Sequence, residues 1–354
     1  MTLAHQIQAD GTVYTVVDDF TSVYRALITG SVTDEILSGP FAGTVVVRVD
    51  NSDLTVKVIP NGFFAIAGYV EKAFPKLALT GQTVHIAVSA AGCQDQTITV
   101  TIPAGTSIFP VPPLSVAVRR NPITIQGRVV ANTASRLPIS GANVATVDNP
   151  TGPPAPHAIA LRSPISLPHA PGATAQEITM TVFGSAVLNS SASSGATVLN
   201  LSNVAGLAAN SVLQLASGVL TEYTIVSSVG PGAGDVSIRD PLNSTFPSAS
   251  TTVQFMNPGA VGTVVSLSAD AATGDGILST SDRLNNTIEI DPGTPNVEYR
   301  DVGVVTDASG YYSIRGVGRF EELFFEASHV GFTSVTVDWF VEYDNAVNVV
   351  DFRL

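Results

Sequence analysis

Cysteine and basic residues are scarce in this chain, and each scarcity narrows what the protein can be. Cys93 is the only cysteine among 354 residues, so no disulfide can form within the chain. A lone thiol beside a strand is typical of a small buried side chain rather than of a nucleophile. Only 16 residues are Lys or Arg against 29 Asp or Glu, which gives a net charge of -13. Such a surface repels phosphate backbones, so we expect no nucleic-acid partner.

Long apolar runs are absent as well. No window of 18 or more uninterrupted apolar residues exists, so we expect no membrane span. Residues 1–10 have neither a basic start nor an apolar stretch, and we therefore expect no secretory signal. This favours synthesis in the cytoplasm followed by assembly into a particle. The alternative is an extracellular or cell-surface protein whose leader was removed.

Glycine, proline and apolar residues are abundant instead. Hydrophobic residues make up 45% of the chain, which indicates a folded protein. The 30 Gly and 22 Pro favour short strands joined by tight turns. Segments such as Val84 to Ala90 and Gln96 to Ile102 alternate with a period of two, as strands do. The best helix candidate, Val70 to Leu79, is interrupted by Pro75, so we expect an all-β chain.

One pattern occurs twice along the chain, the second time split by a long insertion. Each copy has a Gly-x-Val opening, then a Pro and a Gly, and later a turn Gly followed by two aromatic residues. The copies read Gly30-Ser31-Val32, Pro40, Gly43 and Gly62-Phe63-Phe64, and then Gly127-Arg128-Val129, Pro138, Gly141 and Gly310-Tyr311-Tyr312. The opening and turn glycines lie 32 residues apart in the first copy and 183 in the second. The excess of 151 residues is about one domain of chain.

The turn of each copy has a physical explanation. Gly62 and Gly310 stand where a hairpin turn needs a positive φ. The two aromatic residues that follow are neighbours on a strand, so one ring faces the core and the other faces outward. We expect these rings to stabilise a small sandwich.

The repeated order of residues resembles the carboxypeptidase regulatory-like family, over roughly 29–102, 123–148 and 302–354. The resemblance implies a transthyretin-like or prealbumin-like sandwich of seven strands. It also implies a non-catalytic module, because members of that family are appended to many partners and carry no catalytic residues. The family therefore informs the fold and leaves the chemistry open.

The insertion contains a compact unit of five short strands with few large residues, at 195–256. Its pattern of Gly-Ala-Thr, a central Glu-Tyr-Thr-Ile-Val at 222–226 and a Pro-Leu step at 241–242 resembles a small β-barrel repeat of bacteriophage structural proteins. The resemblance implies a particle-forming context.

These observations predict two transthyretin-like β-sandwiches, with a β-barrel domain inserted in the second. The expected domains are an N-terminal arm at 1–28, a first sandwich at 29–103, a Pro-rich linker at 104–121, a second sandwich formed by 122–149 and 301–354, and an inserted domain at 150–300. We expect that replacing 150–300 by a short Gly/Ser linker leaves the second sandwich folded. The arm is not one of the seven strands expected for the first sandwich, and we expect it to pair with a neighbouring subunit or with another domain of its own chain. A locally packed terminus is the alternative.

Catalytic and metal-binding patterns are weak throughout. The five histidines, His5, His85, His157, His169 and His329, show no metal-ligand spacing, and no P-loop, Gly-x-Ser-x-Gly or GxGxxG motif is present. The one weak calcium candidate is the acidic stretch with Asp270, Asp275 and Asp282, in which Ala271 occupies the first ligand position and an Asp replaces the bidentate Glu. An acidic surface turn is the alternative. We expect no catalytic residues, no cofactor and no enzyme activity.

The sequence therefore favours a non-enzymatic structural protein that engages other protein subunits through β edges and loops, in a homo- or hetero-oligomer. The absent signal and the phage-like unit favour a phage-tail-like contractile injection particle, at its baseplate or outer shell. The alternative is a cell-surface adhesin or a carbohydrate-binding β-sandwich protein.

Overall fold

Strands make up about half of the structure and lie in several separate sheets. The structure, a computed structural model, describes residues 23–152, 156–230 and 234–354, together with the backbone of strands 3–7 and 13–17. Strands hold 51% and helix 2% of the structure, so the predicted all-β class is confirmed. Two compact units are present, Met1–Asn121 and Pro122–Leu354. Within the described residues, no helix reaches the length and apolarity that crossing a membrane requires.

In its described residues, the first unit has nine strands, one short helix and a 3-10 turn at Pro60–Gly62. The strands are β1 (Leu3–Ile7), β2 (Val13–Val17), β3 (Arg25–Asp34), β4 (Val45–Val49), β5 (Leu54–Val58), β6 (Phe63–Gly68), β7 (Gln82–Ala90), β8 (Gln96–Ile102) and β9 (Leu114–Val118). The helix α1 (Val70–Ala73) is a single turn that ends before Pro75. Proline limits this helix as the sequence predicts.

Seven of these strands form a two-layer sandwich. One sheet has the order β5-β6-β3-β9 and the other has the order β4-β7-β8. Both sheets contribute to one apolar core, in which Leu27, Ile66, Val84, Ile86 and Ile102 are fully buried. The period-two alternation explains this core, because every second side chain of a strand faces the opposite sheet.

Two boundaries in the first unit differ from the sequence-based expectation. Strand β9 lies inside the segment expected as a linker, and it pairs in parallel with β3 because Val116 and Val118 are buried in the core. The expected arm at 1–28 contains the start of β3, whose Leu27 is fully buried. Strands β1 and β2 pair antiparallel with each other, from Leu3 opposite Val17 to Ile7 opposite Val13. Within the arm, β1 and β2 therefore pair with each other, whereas residues 1–2, 8–12 and 18–22 lie outside the described residues. Pairing of the arm with a neighbouring subunit stays a prediction.

The second unit contains eighteen strands among its described residues. They are β10 (Ile123–Val130), β11 (Asn143–Val147), β12 (His157–Ala160), β13 (Thr174–Val187), β14 (Val198–Asn200), β15 (Val212–Ser217), β16 (Leu220–Val229), β17 (Asp235–Ile238), β18 (Thr252–Ser266), β19 (Ile277–Thr280), β20 (Ile288–Ile290), β21 (Glu298–Arg300), β22 (Val304–Val305), β23 (Tyr311–Val317), β24 (Glu322–Ser328), β25 (Val335–Phe340), β26 (Val347–Val349) and β27 (Phe352–Arg353).

Strands from both ends of the second unit form a second sandwich. One sheet has the order β23-β10-β26, with β27 also paired to β10, and the other has the order β22-β11-β24-β25. Their facing side chains share one core that includes Ile125, Val144, Ile314, Phe325 and Phe352. Chain segments more than 150 residues apart therefore meet in one core, as the split repeat predicts.

The intervening chain forms one long sheet with the order β14-β17-β16-β15-β18-β13-β20-β21. The five strands expected at 195–256 are present, and a single bridge from Leu188 to Leu201 links the end of β13 back to the end of β14. These six strands surround a core with Leu213, Val236 and Phe255. The sequence predicted five strands here and did not include β13. Strands β13 and β18 continue beyond it as a long antiparallel ribbon.

The segment between the two halves of the sandwich also contributes to the sandwich core. Ala160 on β12 and Ile277 on β19 are 1% and 4% exposed and belong to the same apolar cluster as Val144 and Phe325. Strands β12 and β19 pair with each other across the full length of β12. The division into a host sandwich and an inserted domain remains a proposal, and the shared core places part of 150–300 with the host.

The two turn glycines adopt the predicted backbone. Gly62 has a φ of 72° and Gly310 a φ of 73°, both in the left-handed region. The aromatic pairs that follow divide between core and surface as expected. Phe64 is 3% exposed and Phe63 is 49% exposed, while Tyr312 is 1% exposed beside a half-buried Tyr311.

Candidate functional site

The calcium candidate at 270–282 is engaged by an arginine in the structure. Arg319 Nη2 donates to Asp270 Oδ2 at 2.5 Å, and Arg319 Nε lies 3.9 Å from Asp275 Oδ2. Asp275 also accepts the backbone N–H of Ala272 at 2.7 Å. Two of the candidate carboxylates therefore contact Arg319 just after β23, and the guanidinium compensates their charge.

The third candidate carboxylate lies apart from this contact. Asp282 Oδ1 accepts the backbone N–H of Arg283 at 2.7 Å, and its own carbonyl accepts the hydroxyl of Thr280. Within the described ranges, no group of three or more His, Cys, Asp or Glu side chains is arranged to hold a metal ion. Calcium binding at Asp270, Asp275 and Asp282 stays an untested prediction.

Several ionisable side chains form a buried network between β20, β21 and the segment before β13. Glu298 and Arg300 form an ion pair with both side chains nearly inaccessible, at 1% and 2% exposed. His169 Nδ1 lies 2.7 Å from Asp291 Oδ2, and its Nε2 faces Glu298 Oε1 at 3.4 Å. Glu298 also accepts the backbone N–H groups of Ser166 and Leu167. The network therefore ties two distant chain segments together.

The charges of this network stabilise each other. Burial opposes the charged form of His169, but Glu298 and Asp291 outweigh it and raise the pKa of the imidazole above its usual value. Burial also opposes ionisation of Glu298, but Arg300, His169 and the N–H of Ser166 outweigh it and lower the pKa of that carboxyl. A protonated imidazole and an ionised carboxylate favour each other at close range. The arrangement is that of a structural ion-pair network whose members already have partners.

A second buried carboxyl lies at the edge of this network. Glu222 is 1% exposed, and its Oε1 accepts the backbone N–H of Asn243 at 2.7 Å. Its Oε2 is buried without a hydrogen-bond partner, and burial raises the pKa of Glu222. Asn243 in turn donates to Pro164 and Ser166, so the network joins the six-stranded core to the segment before β13.

Sequence reasoning placed His169 among core or surface histidines and did not single out Glu298 or Arg300. One signal was available, since Glu298 and Arg300 are two apart on a strand and therefore share a face. Nothing local indicated that His169, 129 positions earlier, faces the same carboxylate. The other histidine contacts are ordinary, with exposed His85 bonded to Thr99 and His157 bonded to Asp148.

The first unit carries an apolar pocket on its four-stranded sheet. Its volume is about 430 Å³, and its walls include Ile59, Phe63, Pro113 and Leu114. Among the described residues that line it, Lys57 alone is charged. A pocket of this size with mostly apolar walls and a few polar groups is typical of a binding surface for a small apolar group.

The other sheet of the first unit ends in strand β8, and no further strand among the described residues pairs with its outer edge, although Gln96 at its start donates its side-chain amide to the carbonyl of Ala117. Strand β8 reads Gln-Thr-Ile-Thr-Val-Thr-Ile and contains no charged residue and no proline. It pairs with β7 from Gln82 opposite Ile102 to Val88 opposite Gln96, and no other described strand pairs with it. Free edges of this kind present unpaired N–H and C=O groups, and most proteins protect them with charge or proline.

Comparison with known proteins adds little to this geometry. No family model matches the chain, and no curated protein matches it. Among solved structures, the major pilin subunit BcpA of Bacillus cereus is 9% identical with a TM-score of 0.22, and a variant of it is 8% identical with a TM-score of 0.23. Each match covers 94% of this chain and 99% of the pilin. Scores this low carry no argument about fold or function, so the carboxypeptidase regulatory-like and phage-like resemblances stay predictions from the residues quoted above.

Proposed function

We propose that this chain is a non-enzymatic structural subunit that joins other protein subunits through free sheet edges. The observation that carries this proposal is strand β8, an edge strand of seven residues with neither charge nor proline. An edge of that length and composition is a template for a further strand. The pairing energy comes from backbone hydrogen bonds, so the partner is another β-rich subunit or another copy of this chain.

The buried ionic network supports a structural role over a catalytic one. A catalytic acid or base needs access to a substrate, whereas His169 and Glu298 have side chains that are 0% and 1% exposed. The two side chains face each other, and in addition His169 pairs with Asp291 and Glu298 pairs with Arg300. This is what a rigid subunit requires, because a buried ion-pair network specifies one arrangement of the strands around it.

The setting we propose is a phage-tail-like contractile injection particle, in which the subunit lies at the baseplate or in the outer shell. The proposal rests on the likeness of 195–256 to a bacteriophage structural repeat and on the free edge of β8. Electron microscopy of particles purified from the source cells, with this chain labelled, tests it. Label at a defined position on a tail-like particle supports it, and label confined to the cell surface contradicts it.

The edge itself is tested with a pair of matched substitutions. Thr99 on β8 and His85 on β7 are exposed, lie directly opposite each other and share a hydrogen bond at 3.1 Å. Thr99→Lys places a charge on the free edge strand, and His85→Lys places the same charge on the strand that already has neighbours. Both changes remove the same hydrogen bond, so only the position of the charge differs.

We expect Thr99→Lys to weaken association by at least about tenfold, or ~1.4 kcal/mol, and His85→Lys to leave it within about twofold. Native mass measurement and sedimentation over a range of concentrations give the association constant. A wild-type protein that stays a 36.6 kDa monomer in the presence of its particle proteins would refute the edge proposal. Equal weakening by both variants would assign the effect to the lost hydrogen bond.

The apolar pocket favours a second candidate, a carbohydrate-binding or adhesive module. Phe63 is 49% exposed on the outer face of its sheet, and a flat aromatic ring of this kind stacks on the apolar face of a sugar. A glycan array with wild-type protein and Phe63→Ala separates the two candidates. Saturable glycan binding that Phe63→Ala abolishes supports the adhesin, and its absence together with edge-dependent assembly supports the particle subunit.

A further inference from the structure

A small cavity in the second unit is lined by two arginine side chains. Its volume is about 120 Å³, and Arg162, which follows β12, and Arg315, on β23, both line it. Apolar residues from the turn before β16 and from β22 form the remaining wall. Two cations at one small cavity are notable in a chain with only 16 Lys and Arg and a net charge of -13.

One of the two arginines that line the cavity has a buried donor without a hydrogen-bond partner. Arg162 Nε is buried without a hydrogen-bond partner, although Arg162 Nη1 lies 3.3 Å from Asp301 Oδ2. Arg315 Nη2 donates to Ser244 Oγ at 2.8 Å, which is a neutral partner. A buried donor without an acceptor is costly, and a guanidinium especially so.

The neighbouring hydroxyl groups do not fill this need. Tyr311 donates its hydroxyl to Gln126 Oε1, and Tyr312 donates to the carbonyl of Val350, both at 2.6 Å. None of the described residues that line the cavity is Asp or Glu. Ser313 is the remaining lining side chain with a polar group. The two guanidinium groups therefore meet no carboxylate among the described lining residues, and the carboxylates that act on them, Asp301 on Arg162 and Glu222 on Arg315, lie outside that lining.

We propose that the Arg162/Arg315 cavity is a binding site for a small oxyanion, of the size of phosphate or of a short carboxylate. The volume equals that of about four water molecules at ~30 Å³ each, which admits such an anion and excludes a polymer. Guanidinium groups match the geometry of carboxylate and phosphate oxygens. The valine and leucine wall leaves room for a short apolar stem on one side, as in the carboxylate of an acidic side chain.

The site is tested on the full chain with inorganic phosphate and with acetate as probes. Calorimetric titration gives the affinity, and ¹H–¹⁵N spectra of the arginine side chains report which guanidinium groups shift. We expect Arg162→Gln and Arg315→Gln each to weaken binding by about tenfold or more, because each removes a charge-assisted hydrogen bond. Arg353→Gln, at an exposed arginine of the same unit, is the matched control and should leave binding unchanged.

A second readout separates loss of the site from loss of the fold. Thermal unfolding of each variant without anion shows whether the second unit is intact, and the rise in midpoint with added phosphate reports binding to the folded state. Arg315→Lys keeps the positive charge but lacks the planar guanidinium with its paired N–H donors, so we expect an affinity between those of the wild type and Arg315→Gln. No saturable binding of either probe at roughly 10 mM, which corresponds to less than about 3 kcal/mol, overturns the proposal. Equal loss in the Arg353→Gln control overturns it too.

The source of the anion is distinguished by the same samples. If the natural occupant is an acidic side chain of a neighbouring copy, phosphate dissociates the oligomer and Arg162→Gln mimics that effect in native mass measurement. If the occupant is a free anion, phosphate binds without changing the mass. Both outcomes support the oxyanion site.

Discussion

Neutralising Glu298 tests whether the buried ionic network stabilises the second unit. Glu298→Gln keeps the shape of the side chain and removes its charge. In the wild-type protein, the Glu298 carboxylate faces four donors: Arg300, His169 and the backbone N–H groups of Ser166 and Leu167. An amide offers one oxygen and points its own N–H groups at the remaining donors. Arg300, which is 2% exposed, is left without a carboxylate partner.

The size of the effect follows from this geometry. Breaking a buried ion pair by removing one partner costs about 3–5 kcal/mol, because an uncompensated charge stays buried. We expect Glu298→Gln to lie in that range. The double variant Glu298→Gln/Arg300→Met removes both charges, so its cost should be below the sum of the two single variants by at least about 1 kcal/mol.

The chain carries its own reporter for this measurement. Trp339 is the single tryptophan, and it packs against the sandwich core of the second unit, where its Nε1–H donates to Asn348 at 3.1 Å. Urea unfolding followed by tryptophan fluorescence therefore reports the second unit. Glu321→Gln, at an exposed carboxylate, is the control and should stay within about 0.5 kcal/mol of wild type. A Glu298→Gln variant as stable as that control would show that the network contributes no stability.

Three further outcomes follow from the structure. The raised pKa of His169 stabilises the folded state fully below the usual imidazole pKa of 6.5, and this stability is lost as pH rises through the folded-state pKa. The lowered pKa of Glu298 stabilises the folded state fully above the usual carboxyl pKa of 4.5, and this stability is lost as pH falls through the folded-state pKa. The urea midpoint of the second unit should therefore be highest between about pH 4.5 and 6.5. Gly127→Ala should cost about 3 kcal/mol or more, since a Cβ there would lie 1.8 Å from the carbonyl oxygen of Val350, and a urea midpoint like that of wild type would contradict it. Replacing 150–300 by a short linker should leave the second sandwich unfolded, because two core side chains are removed with that segment; a native near-ultraviolet circular dichroism spectrum would show otherwise.

That last outcome reverses the expectation drawn from the sequence, and the reason is physical. The repeat pattern showed that the two halves of the sandwich are far apart in the chain. It did not show that Ala160 and Ile277, inside the intervening segment, complete the core between them. Burial of a side chain against distant residues leaves no periodic signal of its own.

Local features were predictable because short-range sterics decide them. The positive φ of Gly62 and Gly310 follows from turn geometry, and the opposite exposure of Phe63 and Phe64 follows from strand alternation. The all-β class follows from composition and from the period of the apolar residues. These properties depend on neighbours within a few residues, so the sequence by itself determined them.

The partners of buried polar groups were decided by the tertiary structure alone. His169 meets Glu298 because two strands and a loop pack together, and Arg162 meets Arg315 across a cavity that only the folded chain creates. The same holds for β9, a strand that forms by pairing with β3 inside a proline-rich stretch. Each of these contacts depends on the register and packing of segments far apart in the chain, and local propensity contains no information about either.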